Sequence, residues 1–361
     1  MENKKITIKM VSEKAKISKT TVSRYLNGKY EFMSEETRKR IEEVIEELDY
    51  RPNALAQSLK NNKTGLIGLV VSDVTNPFSA TLIKGVNDAC FEKSFQIIIV
   101  HTDNDPVKER EHIQSLIDRQ VEGLILNTTG ENDDFISLLC QRGVKIVMVD
   151  DGLKNHSVDT VTIDYEKATA DMIKKVYAEG FERVGFFSQP LSHGLSQKKH
   201  DYFVEVNGNF VGHNIKLAYQ IDDNNPMYDE CYDLLQQFLH THKGNKLAIF
   251  SENSAVMLNL MHAIYRLGLT IPSDIGLCGY DELGWTQGSA EGISIISTSA
   301  YHVGSEAFKL LFKRIAKAKD QYKPKYIKVP AEVSMKHSTQ ITDNNFDKMV
   351  IKLNQENKPF M

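Results

Sequence analysis

From residue 65 onward, about eleven short apolar runs alternate with stretches of helical periodicity, and this alternation limits the fold more than any other feature of the chain. The runs are GLIGLVV (65–71), FQIIIV (95–100), EGLIL (122–126), KIVMV (145–149), VTI (161–163), RVGFF (183–187), KLAYQI (216–221), KLAIF (246–250), IGLCG (275–279), ISII (293–296) and YIKV (326–329). Helical spacing marks residues 78–93, 107–119, 167–179, 229–240 and 255–267 between them. Short apolar strands alternating with helices imply parallel sheets covered on both faces. About eleven strands suggest two such sheets rather than one. In open α/β folds ligands sit beyond the C-terminal ends of the strands. That rule points to Ser72-Asp73, His101-Thr102, Asn127, Asp150, Asp164, Ser188, Ser251-Glu252 and Gly279-Tyr280-Asp281.

The N-terminal residues follow a different pattern. Ile8, Val11 and Ala15 have helical spacing, as do Val22 and Leu26, and Ile41, Val44, Ile45 and Leu48 mark a longer third helix. Ser34 before Glu35 and Glu36 is a hydroxyl cap followed by acids at the positive end of the helix dipole. Two short helices across a turn of about three residues, braced by a third, form a helix-turn-helix. The second helix buries Val22 and Leu26 and presents Lys19, Thr20, Thr21, Ser23 and Arg24. A helix built only to fill a core has no use for so many hydroxyls and cations. In the helix-turn-helix arrangement the start of this helix reaches base edges in the major groove, where Arg pairs bidentately with guanine and Thr meets a polar edge or the thymine methyl. Charge agrees with this. Residues 1–63 carry 14 Lys/Arg against 10 Asp/Glu, whereas the remainder carries 30 against 38. A basic head on an acidic body fits a polyanion partner for the head alone, although a solvated basic surface would give the same count.

The stretch TIKMVSEKAKISKTTVSRYLNG, with MSEETRKRIEEVIEELDYRPNALAQSL after it, closely resembles the DNA-binding headpiece of the lactose/galactose-repressor (LacI/GalR) family. The resemblance implies base contacts for Lys19, Thr20 and Arg24, and phosphate or turn roles for Thr7, Ser18, Thr21, Ser23 and Asn27; Ser18 serves equally well as a plain helix cap. Two positions depart from the pattern. Met10 replaces a common acid, and Lys16 replaces the turn glycine, so a strained or reshaped turn is expected. The resemblance also implies a hinge helix after Pro52, too short to be stable alone. Asn53, Ala56 and Leu59 are its expected hinge and minor-groove residues: Ala56 packs between the paired hinge helices and Leu59 is a minor-groove wedge, which kinks the duplex. Packing of Leu59 on the body is the plainer alternative.

The likeness extends over almost the whole body. SDVTNPF (72–78), Asp164 opening a helix, and Gly279-Tyr280-Asp281 match the family's two-lobed, periplasmic-binding-protein-like core. The expected fold is an all-α helix-turn-helix headpiece (1–50), a hinge helix and linker (51–63), an α/β two-lobed core (64–340) and a C-terminal tail (341–361). Lobe one is expected at 64–162 plus 292–324, and lobe two at 163–291 plus 325–340. Carried over residue by residue, the effector site comprises Ser72, Asp73, Asn76, Phe78, Asn127, Lys167, Lys199, Asn253, Asp281 and Thr298. Lys199 stands where the family usually has Arg. A cleft with one or two lysines and few unpaired acids favours an anion: a sugar acid such as a hexuronate, a keto-deoxy sugar acid such as 2-keto-3-deoxygluconate, or a sugar phosphate. A lysine is a compact point charge without the bidentate grip of Arg. Exposed-loop positions are the alternative for the two lysines, and a neutral sugar, sugar phosphate or nucleobase is the alternative effector. Phe78 or Trp285 would stack on a sugar face or pack in the core.

Enzyme chemistry finds no constellation here. The chain has no Gly-x-Gly-x-x-Gly after a strand, no P-loop, no nucleophile elbow and no His-Glu-x-x-His. Asp150-Asp151 reads as a loop after a strand, and His240 with His242 as surface. Neither a metal nor a cofactor is expected. Four scattered cysteines give neither a disulfide framework nor zinc spacing, and no run is long and apolar enough for a membrane span. The start lacks a secretory signal, so a reducing cytoplasm is expected. The tail holds Phe346, Met349, Val350 and Leu353 at helical spacing, barely one heptad and too little for a coiled coil. These readings together imply a homodimeric transcriptional regulator, by default a repressor of carbohydrate genes. It would bind a palindromic operator in double-stranded DNA and be switched by a sugar or sugar-acid effector. A sugar-binding module without DNA binding, or a sugar-modifying enzyme with a fused head, are the competing classes.

Overall fold

A computed structural model describes residues 6–51, 63–150, 152–153, 158–191, 194–212, 218–221, 227–281, 292–316 and 323–341. The chain divides between Gly65 and Leu66 into two compact units. The expected hinge residues Asn53, Ala56 and Leu59, Trp285, the side chain of Asp281 and the tail beyond residue 341 lie outside the described residues.

The first unit holds α1 (Ile8–Ala15), α2 (Lys19–Leu26) and α3 (Glu35–Glu47). Each starts on a hydroxyl. Thr7 Oγ1 accepts from Met10 N, Ser18 Oγ from Thr21 N at 3.1 Å, and Ser34 Oγ from Thr37 N at 3.2 Å, each satisfying a donor the helix leaves unpaired. Val11, Ala15, Val22, Ile41, Val44 and Tyr50 close a small core. Leu26 is only half-buried, so α2 is anchored chiefly through Val22. The turn after α1 is made by Lys16 in the left-handed conformation, φ 54° and ψ 40°. A side chain there costs about 1–2 kcal/mol against the usual region, which is why glycine is the usual occupant.

In the second unit strands and helices alternate: β1 (Leu66–Val71), α4 (Pro77–Phe91), β2 (Gln96–His101), α5 (Pro106–Asp118), β3 (Gly123–Leu126), α6 (Asp133–Gln141), β4 (Ile146–Val149) and β5 (Asp159–Ile163). Then follow α7 (Tyr165–Ala178), β6 (Arg183–Ser188), α8 (Gly194–Val211), β7 (Ala218–Gln220), α9 (Met227–Thr241), β8 (Leu247–Ser251), α10 (Ser254–Arg266) and β9 (Gly276–Asp281). The last elements are β10 (Ser294–Ser297), α11 (Ala300–Ala316), β11 (Tyr326–Val329) and β12 (Glu332–Ser334). The strands form two six-stranded sheets, β11-β5-β4-β3-β1-β2 and β12-β10-β9-β8-β6-β7. All pairs are parallel except β10 with β12. Central strands are buried throughout, as parallel strands covered on both faces must be.

The sheet pairing corrects the expected lobe boundaries at the C-terminal end. β10 continues the second sheet beside β9, with Ile295 opposite Gly279, and β11 joins the first beside β5, with Ile327 opposite Val161. The expected division had these two strands exchanged. The chain therefore crosses between the lobes after β5, after β10 and after β11. α11 is held on the first lobe by close packing with α4: a Cβ on Gly85 would run into the carbonyl oxygen of Tyr301, and one on Gly304 would sit 2.5 Å from the carbonyl oxygen of Leu82. Small residues at both positions let the two helices cross almost backbone to backbone.

Candidate nucleic-acid interface and ligand cleft

On α2, Lys19, Thr20 and Arg24 are exposed, and Thr21 and Ser23 are half-exposed. The Asn27 side chain donates to the Ser23 carbonyl and so closes the helix end. Thr7 and Ser18 are both occupied as caps in this structure, and a capping hydroxyl at a helix start also stands where a phosphate is favoured. This short helix thus presents a cation, two hydroxyls and a guanidinium to solvent.

The second site lies between the lobes, at the C-terminal ends of both sheets. It is a cavity of about 240 Å³, the scale of a single sugar ring rather than of the larger pockets that hold drug-sized ligands. Its walls include Ser72, Asp73, Asn76, Phe78, Asn127, Lys199, Asn253 and Thr298, eight of the ten expected effector residues. Lys167 is not among them. It stands exposed on α7, paired with Asp171 at 2.6 Å, and borders a separate surface hollow with Asp164, Glu166, Tyr202 and Lys328. Lys167 lies two residues beyond Tyr165, the α7 residue that does reach the cleft, and so falls on another side of the helix.

On the first lobe, Ser72 Oγ donates to Asn127 Oδ1 at 3.0 Å. Asp73 Oδ1 accepts from the amide and hydroxyl of Thr75, both at 2.7 Å, and Asn76 caps α4 through Phe78 N at 2.9 Å. These local bonds fix the β1–α4 turn without covering the remaining oxygens. The loop Thr128-Thr129-Gly130 is held from behind by Glu109, which is fully buried. Its carboxylate accepts from Thr129 N at 2.9 Å, Thr129 Oγ1 at 2.8 Å and Asn132 Nδ2 at 2.7 Å. Asp150 ends β4 in the left-handed region, φ 68°, and its Oδ1 accepts from the Tyr165 hydroxyl. Non-glycine residues held in such conformations gather at ligand sites.

On the second lobe, Asn253 caps α10 through Val256 N and donates to Gln189 Oε1 at 3.2 Å. Ser196 donates to Glu252 Oε1. The other oxygen of Glu252 and the hydroxyl of Thr298 are buried at the cleft without a partner among the described residues. Buried polar atoms left in this way cost stability and mark places where a ligand group or water completes the pairing. Lys199 is 8% exposed. Its Nζ lies 4.9 Å from the ring centre of Tyr165 and 4.7 Å from that of Tyr280, with a 3.5 Å bond to the Glu252 carbonyl. Burial pushes the Tyr280 hydroxyl up from its ordinary value, so it stays neutral beside the cation.

Among the described lining residues Lys199 is the one cation, facing three carboxylates, Asp73, Asp150 and Glu252. Asp150, Glu252 and Tyr280 all end strands, so the strand-end rule had picked them out. Tyr165, Gln189, Ser196 and the 128–130 loop had no sequence signal, because helix starts and loops reach the cleft only through the lobe arrangement.

A helix-turn-helix unit joined to a two-lobed α/β core with a sugar-sized cleft defines a class: DNA-binding transcriptional regulators built on a sugar-binding core. Residues 64–343 match the model for periplasmic binding proteins and the sugar binding domain of the LacI family, and residues 7–53 match that for bacterial regulatory proteins of the lacI family. The chain belongs to the LacI family. It is 37% identical over 340 residues to the HTH-type transcriptional regulator KdgR of Bacillus subtilis, covering 92% of this chain and 97% of that protein. It is 30% identical to the regulator PtxS of Pseudomonas aeruginosa, over 93% and 96%, and 26% identical to catabolite control protein A of Priestia megaterium, over 93% and 99%. In fold it matches the lac repressor dimer bound to operator and the anti-inducer ONPF, with a TM-score of 0.79 over 94% of this chain and 100% of that one at 20% identity. The chain is therefore a DNA-binding transcriptional regulator and not an enzyme. Among the described residues no helix is long and apolar enough to cross a membrane.

Proposed function

We propose that two copies of this chain bind a palindromic operator in the cytoplasm and repress carbohydrate-catabolism genes until a small sugar acid fills the cleft. The observation that carries the effector reading is Lys199, a buried cation in the cleft with aromatic faces and no carboxylate within ion-pair distance among the described residues. A buried charge without an ionic partner is costly, and a ligand carboxylate would supply that partner. The three lining carboxylates and the asparagines suit the hydroxyls of the same molecule. They also repel a second negative charge, which favours a monoanion, such as a hexuronate or 2-keto-3-deoxygluconate, over a sugar phosphate. The likeness to catabolite control protein A of Priestia megaterium supports a role in catabolite control.

Lys19, Thr20 and Arg24 read the half-site, with Thr7, Ser18, Thr21, Ser23 and Asn27 on the backbone. Two-fold symmetry of the operator calls for a second copy. Support for a dimer comes from α10, where Leu258 and Tyr265, seven residues apart on one face, are 54% and 82% exposed. The hinge residues Asn53, Ala56 and Leu59 would meet the minor groove at the operator centre. The ligand acts through its unequal affinity for two lobe arrangements, the only way a ligand shifts such an equilibrium.

The test is operator binding by the full-length protein, titrated with D-glucuronate, 2-keto-3-deoxygluconate, glucose and glucose 6-phosphate. Release by an acid alone supports the reading. Release by glucose, or by the phosphate in preference to the acids, sinks the sugar-acid assignment and leaves the regulator standing.

A further inference from the structure

We propose that Tyr165 and Tyr280 are specificity-determining residues of the cleft, and that their ring faces hold Lys199 as an unpaired ammonium whose counter-ion is the effector's carboxylate. The inference rests on the sugar-acid reading above and adds the residues that enforce it.

A buried lysine left alone turns to solvent, finds a carboxylate, or gives up its proton. Glu252 offers one candidate carboxylate, since its main-chain carbonyl already lies 3.5 Å from Nζ. That carboxylate is turned to Ser196 instead, and its other oxygen has no partner among the described residues. Lys199 sits between two ring faces, 4.9 and 4.7 Å from their centres, inside the roughly 6 Å range of cation–π attraction. The rings are fixed by each other and by their hydroxyls. They meet edge to face at 5.5 Å, the Tyr165 hydroxyl is bonded to Asp150, and the Tyr280 hydroxyl is bonded to Thr169. A ring face stabilises the charge without neutralising it. Had a carboxylate stood in place of either ring, an incoming acid would have to displace it. With the rings, the charge stays available and pointed at the cavity.

The experiment is calorimetric titration of the full-length protein with D-glucuronate, 2-keto-3-deoxygluconate and glucose, in the wild type and in Tyr165→Leu, Tyr280→Leu and Lys199→Met. The wild type is expected to prefer an acid to glucose. Each Leu variant should cut that preference, read as the ratio of acid to glucose affinity, by about two- to thirtyfold, the range that cation–π energies convert to. Lys199→Met should abolish it. Because Tyr280 is fully buried and its Leu variant can fail to fold, phenylalanines carrying one to three ring fluorines are placed at 280 as well. They keep the ring shape while draining its negative face, so the preference should fall stepwise with fluorine number. An unchanged preference across the Leu and fluorinated series overturns the cage while the sugar-acid reading survives. A wild type that binds glucose in preference to both acids, or binds neither acid, overturns that reading and this inference with it.

Discussion

The Tyr165 hydroxyl donates a 2.9 Å hydrogen bond to Oδ1 of Asp150, joining the first turn of α7 in the second lobe to the end of β4 in the first. Both side chains line the cleft and both are buried, so the bond is one direct tie between lobes that a ligand would feel. Hydrogen bonds to a charged group contribute about 1.5–3 kcal/mol. Tyr165→Phe keeps the ring face and removes only this donor. It is expected to lower the stability of the core by about 2 kcal/mol and to shrink the change in operator affinity at saturating effector. Denaturant unfolding reads the first and operator titration with and without ligand the second. An unaltered allosteric response would mean that the bond does not distinguish the lobe states.

Lys16 offers a cleaner test of backbone strain. Its left-handed conformation is fixed by the turn between α1 and α2, and its own amide bonds back to Ser12 and Glu13. Lys16→Gly removes the Cβ penalty but adds freedom to the unfolded chain, so the net gain should be about 0.5–1 kcal/mol. Lys16→Ala should bring none, since Ala suffers the same clash. Scanning calorimetry of the full chain, followed through the transition of the head, separates the two. Equal stability of all three forms would mean that the turn is relaxed.

The two lysines expected in the effector site should part company. Lys199→Met is expected to abolish the response to sugar acids. Lys167→Met should leave it intact, because Lys167 is exposed and engaged with Asp171 on the outside of α7. Thermal-shift measurements against the same acids check this. A matching loss in both variants would restore Lys167 to the site.

How far such residues could be placed from sequence depended on whether local pattern or lobe packing decides their position. Val22, Ser18 and Ser34 were readable, because caps and helical spacing are local. The strand ends were readable too, which brought Asp150 and Glu252 into view. The assignment of β10 and β11 to sheets was not, since ISII and YIKV look alike as runs and only neighbouring strands decide which ladder each completes. The same holds for Tyr165: nothing in its neighbourhood marks it, and its place follows from where α7 begins once the chain has crossed between lobes.

In the head, Arg24 should carry base choice. Arg24→Ala is expected to cost about 1–3 kcal/mol on the cognate site and to relax preference at one position of each half-site. Leu59→Ala, by contrast, should weaken specific binding far more than binding to random DNA, since a wedge acts only on a kinked centre. Selection from a randomised operator library reads the first and paired affinity measurements the second. Equal losses on specific and random DNA for Leu59→Ala would count against the wedge.

Glu109 should matter to the cleft without touching a ligand. Its fully buried carboxylate accepts from two groups of Thr129 and from Asn132, whose side chain also donates to the Pro106 carbonyl at 2.8 Å. Removing it takes their partner from both Thr129 donors and one of two partners from Asn132 Nδ2, a buried donor left unpaired costing about 1–3 kcal/mol. Relaxation and water entry will recover part of that, so Glu109→Ala is expected to destabilise the core by about 3 kcal/mol. The donors sit on the loop that carries Thr128 and Gly130 to the cavity. Effector affinity should therefore fall at temperatures where the protein is still folded, while operator affinity without effector stays within about twofold, since stability effects at separate sites act independently. Operator titration and effector calorimetry at one temperature, well below the unfolding transition, check both. Loss of stability with unchanged effector affinity would assign Glu109 to the architecture of the first lobe alone.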